Sequence, residues 1–312
     1  MRWGDFRRSD NVEDRTAENS GGGFSGGGFP IGGGGIRLGG GALVVIVIAS
    51  LIFGVNPLEM IGAIETGGPS VPPQTHPTPA PPPPGYGPQR SPGQSPPRAT
   101  AAPSQAKDFV SAPLGDTEDV WTAVFKAMGA QYQAPQLVLF RGATRSACGG
   151  ARAAVGPHYC SADRKLYLDT SFFDELSRRF GAPGDFAQAY VIAHEVGHHV
   201  QNVTGTMRKV DEQMRRTDAR GRNALSVRLE LQADCYAGVW GYFAQKRNKL
   251  EPGDLEEGFR AASAVGDDSI QKRAQGYVVP ESFTHGSAEQ RLRWFRTGLE
   301  TGDMRRCNTF AS

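Results

Sequence analysis

His194-Glu195-Val196-Gly197-His198 forms an HExxH motif, and the surrounding sequence predicts the helix that carries it. Pro183-Gly184 breaks the preceding structure, Asp185 can cap, and apolar residues then recur with helical spacing as far as Val200. Histidines at i and i+4 lie on one face of a helix, so both imidazoles can reach one zinc ion, with the glutamate beside the water to be activated. The alternative is a helix in which the two histidines occur by chance.

A second helix, predicted over residues 226–240, supplies two acids four residues apart. Glu230 and Asp234 therefore share a face, where burial is costly unless a cation compensates. A catalytic zinc takes three protein ligands and keeps one position for water. We therefore predict Glu230 as third ligand and Asp234 as acceptor for the free ring N–H of a ligand histidine. Two alternatives stay open: the acids pair with Arg222 or Arg228, or Asp234 is the ligand and Glu230 its support.

These two motifs resemble those of the neutral zinc metallopeptidase family, membrane-anchored bacterial proteins of gluzincin type. The resemblance lies in AYVIAHEVGHHVQ at 189–201 and RLELQADCYAGVW at 228–240, and it extends to MRW and SDNVEDR, to GPHYC and KLYLDTSFFDEL, and to FTHGSAEQRLRWFRTGLETGD. It implies a zincin-like catalytic domain with one zinc per chain. His194 and His198 would lie on the active-site helix, Glu230 on a "glutamate" helix, and Glu195 would be the general base.

The first third of the chain divides into blocks of distinct composition. Residues 1–37 are charged and then Gly-rich, cannot bury a core, and are predicted to be disordered. Residues 38–55 carry no charge and are predicted to form a transmembrane helix, near the lower length limit; a cleaved signal peptide or a buried core helix are the alternatives. Residues 56–107 are Pro-rich and predict a linker without a core.

The distribution of arginines predicts the orientation in the membrane. Five arginines precede the predicted span, and the next basic residue after it is Arg90. The positive-inside rule then places residues 1–37 in the cytoplasm and the domain that follows the linker in the periplasm or outside the cell, on a single-pass anchor in the lipid bilayer.

Residues 108–312 are predicted to form one domain, mainly α with a small β-sheet, an α+β fold. The chain has four cysteines, all in this domain, and an even count in an exported domain favours disulfides. Cys148 and Cys160 flank a Gly-rich turn and are predicted to pair, which leaves Cys235 with Cys307; a free thiol at Cys235 is the alternative.

We expect short strands at 137–140 and 166–168 and helices at 116–130, 172–180, 206–222, 229–246, 254–265 and 287–298.

These features together predict a membrane-tethered zinc peptidase that hydrolyses peptide or protein substrates outside the cytoplasm. An extended peptide could add to the strand at 165–169 if that strand lies at a sheet edge. Two other classes stay open: a non-catalytic zinc-binding scaffold, against which Glu195 counts because a structural site needs no base, and an amide hydrolase acting on cell-wall peptide. A net charge of +2 gives no reason to expect a nucleic-acid partner.

His285 is a tentative further catalytic residue. It lies on a loop before a predicted helix, next to Gly286, and could donate to the oxyanion that develops on the attacked carbonyl. Tyr236 and His199 are rivals for that role, and a local structural hydrogen bond is the simpler interpretation of His285.

Overall fold

A computed structural model describes residues 1–17, 105–152 and 156–311. In these ranges helices dominate and a small mixed sheet of four strands accompanies them, as predicted for an α+β fold. The strands are β1 (Val12–Asp14), β2 (Gln136–Phe140), β3 (Ala143–Ser146), β4 (Gly149–Arg152), β5 (His158–Cys160) and β6 (Lys165–Asp169). The helices are α1 (Gln105–Ala127), α2 (Phe172–Arg178), α3 (Asp185–Val203), α4 (Thr206–Met214), α5 (Ala219–Lys246), α6 (Asp254–Ala264), α7 (Asp267–Gln275) and α8 (Ala288–Thr301).

The sheet has the order β1-β2-β6-β5, with β1, β2 and β6 parallel and β5 antiparallel to β6. The prediction that residues 165–169 lie at a sheet edge is therefore wrong. β6 pairs on both sides, and the edge beyond it is the three-residue strand β5. A strand this short gives no periodicity from which it could be predicted.

Residues 1–17 belong to the folded body, so their predicted disorder is wrong. A 3₁₀ turn at Trp3–Asp5 leads into β1, and the side chains of Met1, Phe6 and Val12 are at most 7% exposed. The composition of this segment is polar, but its few apolar residues find partners elsewhere in the chain, which composition alone cannot show.

The predicted membrane span at 38–55 lies outside the described residues, as does the linker except for the first residues of α1. Within the ranges that the structure covers, each helix is either too short or too polar to cross a bilayer.

Three helices that meet at glycines form the centre of the domain. Gly197 of α3 lies so close to Ala233 of α5 that a Cβ would come within 2.9 Å of the Ala233 carbonyl oxygen. On another face of α5, Gly238 and Gly298 of α8 let those two backbones touch, since a Cβ at either position would collide with backbone atoms of the other helix. The glycines therefore fix how closely α3 and α8 approach α5.

Both predicted disulfides are confirmed. Cys148 pairs with Cys160, which ties the β3–β4 turn to the end of β5. Cys235 pairs with Cys307 across 72 residues, so the C-terminal segment is fastened to the middle of α5. The alternative of a free thiol at Cys235 is excluded.

The close contact of α5 and α8 predicts the effect of Gly298→Ala. Alanine normally favours a helix over glycine by about 1 kcal/mol. Here the added Cβ would collide with the Cys235 carbonyl oxygen and the Val239 nitrogen, and overpacking costs about 1–3 kcal/mol. We expect a net decrease in the free energy of unfolding, measured by denaturant titration. Glu300→Ala, an exposed change on the same helix, is the control; equal stability of the two variants would contradict this packing.

Candidate metal centre

Three side chains from two helices converge on one buried point. His194 and His198 of α3 and Glu230 of α5 each present a donor atom, and these atoms lie within 4.8 Å of one another. The Nε2 atom of His194 is 3.2 Å from one Glu230 carboxylate oxygen, and that of His198 is 3.5 Å from the other. Two imidazoles and one carboxylate are a donor set that suits zinc.

Asp234 orients the first histidine from behind. Its carboxylate lies 2.9 Å from Nδ1 of His194, the ring nitrogen that faces away from the converging donors, and accepts two hydrogen bonds from Arg291 of α8, at 2.8 and 2.9 Å. The Tyr190 hydroxyl also donates to it, at 2.5 Å. The alternative that Asp234 pairs with Arg222 or Arg228 is not what the structure shows, because the arginine that Asp234 contacts is Arg291.

The second histidine is oriented by an amide. Nδ1 of His198 lies 2.9 Å from the Gln201 side-chain oxygen, whose amide nitrogen donates to the Leu229 carbonyl and to Gln232. Gln232 donates in turn to the carbonyl of Cys307. The hydrogen bonds behind His198 therefore continue into α5 and the disulfide-linked C-terminal segment.

Charges around the site favour a cation. Burial opposes protonation of His194, but the Asp234 and Glu230 carboxylates outweigh it and raise its pKa to about 9. Burial likewise works against the charged form of Glu230, but His198 and His285 hold the pKa of this carboxyl well below its usual value. For Asp234, Arg291 and His194 outweigh burial and lower the pKa to about 2. Both carboxylates are therefore ionised in a buried site.

Glu195 lies on the active-site helix between the two histidines and is 8% exposed. Its Oε2 atom is buried and has no hydrogen-bond partner among the described residues. Its charge also opposes the lowering of the His158 pKa that burial causes. The Oε2 atom of Glu195 is therefore available to accept a hydrogen bond from a ligand in the site.

His285 comes close to the same site from the loop before α8. Its Nδ1 lies 3.1 Å from Asp267, which also accepts its backbone N–H at 2.6 Å, and 3.0 Å from the Thr284 hydroxyl. Its Nε2 is buried without a hydrogen-bond partner in the part of the chain that the structure describes. His285 also contributes to the lowered pKa of Glu230, so its charge acts on one of the three converging residues.

The two rivals of His285 are held by structural contacts. His199 places Nε2 2.6 Å from the Gln133 carbonyl and Nδ1 3.0 Å from the Tyr159 hydroxyl, and burial lowers its pKa to about 4, so it is neutral. Tyr236 packs edge-on against Trp121 at 5.4 Å between ring centroids. Neither side chain joins the converging group.

Four residues of the site were missed by the sequence analysis: Tyr190, Gln201, Asp267 and Arg291. Tyr190 stands four residues before His194, so helical spacing could have placed it on the same face. Asp267 and Arg291 lie far along the chain from their partners, at separations of 18 and 57 residues, and no local pattern predicts such pairs.

Comparison with known proteins agrees with this geometry. Residues 1–310 match the family described as Putative neutral zinc metallopeptidase. The chain belongs to this family. It is 44% identical over 310 residues to the uncharacterized protein YpfJ of Escherichia coli strain K12, covering 99% of each chain. It is 42% identical over 220 residues to the uncharacterized protein Rv2575 of Mycobacterium tuberculosis, covering 67% of this chain and 73% of that one. No solved structure shows significant similarity.

Metal binding separates the roles of the two acids. We expect about one zinc per chain, lost in His194→Ala and Glu230→Ala because each removes a ligand. Asp234→Asn should retain zinc with an affinity roughly 10–100-fold lower, since Asp234 orients His194 but does not itself bind the metal. Metal analysis measures the zinc content and chelator competition measures the zinc affinity. Unfolding curves check that each variant is folded. Zinc retained in Glu230→Ala and lost in Asp234→Asn would mean that the acids have exchanged roles.

Proposed function

We propose that the protein is a zinc-dependent peptidase with a zincin-like active site, in which His194, His198 and Glu230 hold the metal. The observation that carries the proposal is the convergence of these three donors around a buried point. The helix that holds both histidines also carries Glu195, whose buried Oε2 atom has no hydrogen-bond partner among the described residues. A structural zinc site closes all four positions with protein ligands and has no use for such a free carboxylate. The site therefore favours catalysis over the scaffold alternative.

The hydrogen-bond partners of the two histidines also suit zinc binding. Asp234 faces the rear ring nitrogen of His194, and Gln201 that of His198, which leaves both Nε2 atoms available toward Glu230. When bound, zinc would polarise a substrate carbonyl and lower the pKa of a water toward about 7.

The side chains supply the proton transfers of peptide hydrolysis. Glu195 would accept a proton from the attacking water and deliver it to the amine that leaves as the peptide C–N bond breaks. Nε2 of His285 would donate a hydrogen bond to the oxygen that becomes negative during the attack. Asp267 would hold His285 in that orientation through its Nδ1 and backbone N–H.

The edge strand β5 is our candidate for the main-chain contacts of a peptide substrate. It replaces the strand at 165–169 in this role because β6 pairs on both sides. An extended peptide can add to a free sheet edge by main-chain hydrogen bonds. The electrostatic interaction of His158 in this strand with Glu195 supports the choice.

We further propose that residues 105–311 work outside the cytoplasm. The two disulfides support this location, because such bonds persist in oxidising compartments and are rare in the cytosol.

Glu195→Gln tests the peptidase proposal. The amide cannot accept the proton, so hydrolysis of an unstructured protein should fall by about 10²–10⁴ while zinc content stays unchanged. Glu212→Gln, the same change on the exposed face of α4, should leave both unchanged. Wild-type turnover by a zinc-loaded Glu195→Gln protein would show that Glu195 is not the general base. A wild-type protein that binds zinc but hydrolyses no substrate would support the scaffold alternative.

His285→Ala tests the second donor. We expect kcat to fall by roughly 10²–10³ with unchanged zinc content, as for removal of one oxyanion donor. His285→Gln keeps an N–H group and should recover part of the loss. Equal rates for the alanine, glutamine and wild-type proteins would leave His285 with a structural role only.

A further inference from the structure

Residues 1–17 are held by the body of the protein through main-chain pairing. β1 lies parallel to β2, with Val12 opposite Leu137 and Asp14 opposite Leu139. The Leu137 N–H donates to the Asn11 carbonyl at 2.8 Å, and the Arg15 N–H donates to the Leu139 carbonyl at 2.8 Å. β1 therefore covers the outer edge of the sheet and leaves β2 paired on both sides.

A buried carboxylate on α1 receives three donors from this segment. Glu118 is 6% exposed and accepts from the Ser9 hydroxyl at 2.6 Å, the Asn11 amide at 2.8 Å and the Arg7 guanidinium at 2.7 Å. A buried carboxylate that lost these three donors would be left without compensation for its desolvation, which is strongly unfavourable. α1 therefore depends on residues 7–11 to satisfy its own buried charge.

A second set of contacts fixes the first residues against the start of α1. Arg8 donates twice to Asp108, at 2.8 and 3.2 Å, and its guanidinium lies over the Trp3 ring. Trp3 in turn meets Phe109 edge-on, at 5.4 Å between ring centroids. The N-terminal segment is thus joined to the body by strand pairing, by hydrogen bonds to the buried Glu118, by partly exposed ion pairs and by aromatic packing.

We infer that residues 1–17 and residues 105–311 lie on the same side of any membrane. The hydrocarbon core of a bilayer is about 30 Å thick, and groups on its two faces cannot share hydrogen bonds of 2.6–3.2 Å. A cytoplasmic N-terminus with a domain on the other side, as the arginine distribution predicts, is incompatible with these contacts.

Three of the five arginines that the positive-inside rule counts form ion pairs within the described residues. The rule counts basic residues as free cytoplasmic charges next to a span. Here Arg7 pairs with Glu118 and Asp119, Arg8 with Asp108, and Arg15 with Glu13. These cations serve the fold of the domain, so their number does not report which side of a membrane they occupy.

Thiol labelling of the full chain tests the inference without any assay of activity. All four native cysteines are paired, so a cysteine introduced at an exposed position is the one reactive thiol. Asp10→Cys reports on the N-terminal segment and Met128→Cys, at a side chain 48% exposed, on the body. Each variant is treated with a membrane-impermeant maleimide in intact cells and, separately, after lysis.

We expect the two positions to give the same ratio of labelling in intact and lysed cells, within about twofold. Labelling of both in intact cells also supports the proposed location outside the cytoplasm. Labelling of both only after lysis would contradict that location and still support the shared side. A ratio that differs by tenfold or more between Asp10→Cys and Met128→Cys would overturn the inference, whatever the protein hydrolyses.

Discussion

The buried carboxylate of Asp234 is the group on which the site depends. It is fully buried on α5 and binds the guanidinium of Arg291 on α8, while accepting hydrogen bonds from Tyr190 and contacting His194 on α3. Removing one partner of such a buried pair typically costs about 3–5 kcal/mol, so the three helices are held in one arrangement. The glycines at the helix contacts make this possible, because larger residues would keep Arg291 and His194 too far from the carboxylate.

The parts of the molecule that could be predicted are those encoded in short-range spacing. The i, i+4 spacing on α3 and α5 predicted that the two histidines share one helix face and the two acids another, and the structure brings these faces together, because a helix of fixed pitch turns spacing into direction. The disulfides followed from counting, since one pair flanked a single turn and two cysteines were left.

The parts that could not be predicted depend on contacts between distant residues. From the sequence alone, Arg291 would be assigned to the exposed face of an amphipathic helix. In the structure α8 packs against α5, and Arg291 is only 4% exposed. The position of β5 outside β6 is set by a turn and a disulfide rather than by strand periodicity. Residues 1–17 look like a polar leader because their partners, such as Glu118, lie more than 100 residues away. In each case the sequence shows only a polar or short segment, and its position in the fold is determined by tertiary contacts.

The pairing of β1 with β2 also sets an order of events during synthesis. Residues 1–17 leave the ribosome before the strand that receives them and before Glu118, which follow only after more than 100 further residues. This segment therefore stays unpaired until β2 and α1 have been made. Contacts this far apart in sequence slow folding. A factor that binds the nascent chain before β2 and α1 are made would therefore meet residues 1–17 without the partners that hold them in the folded protein.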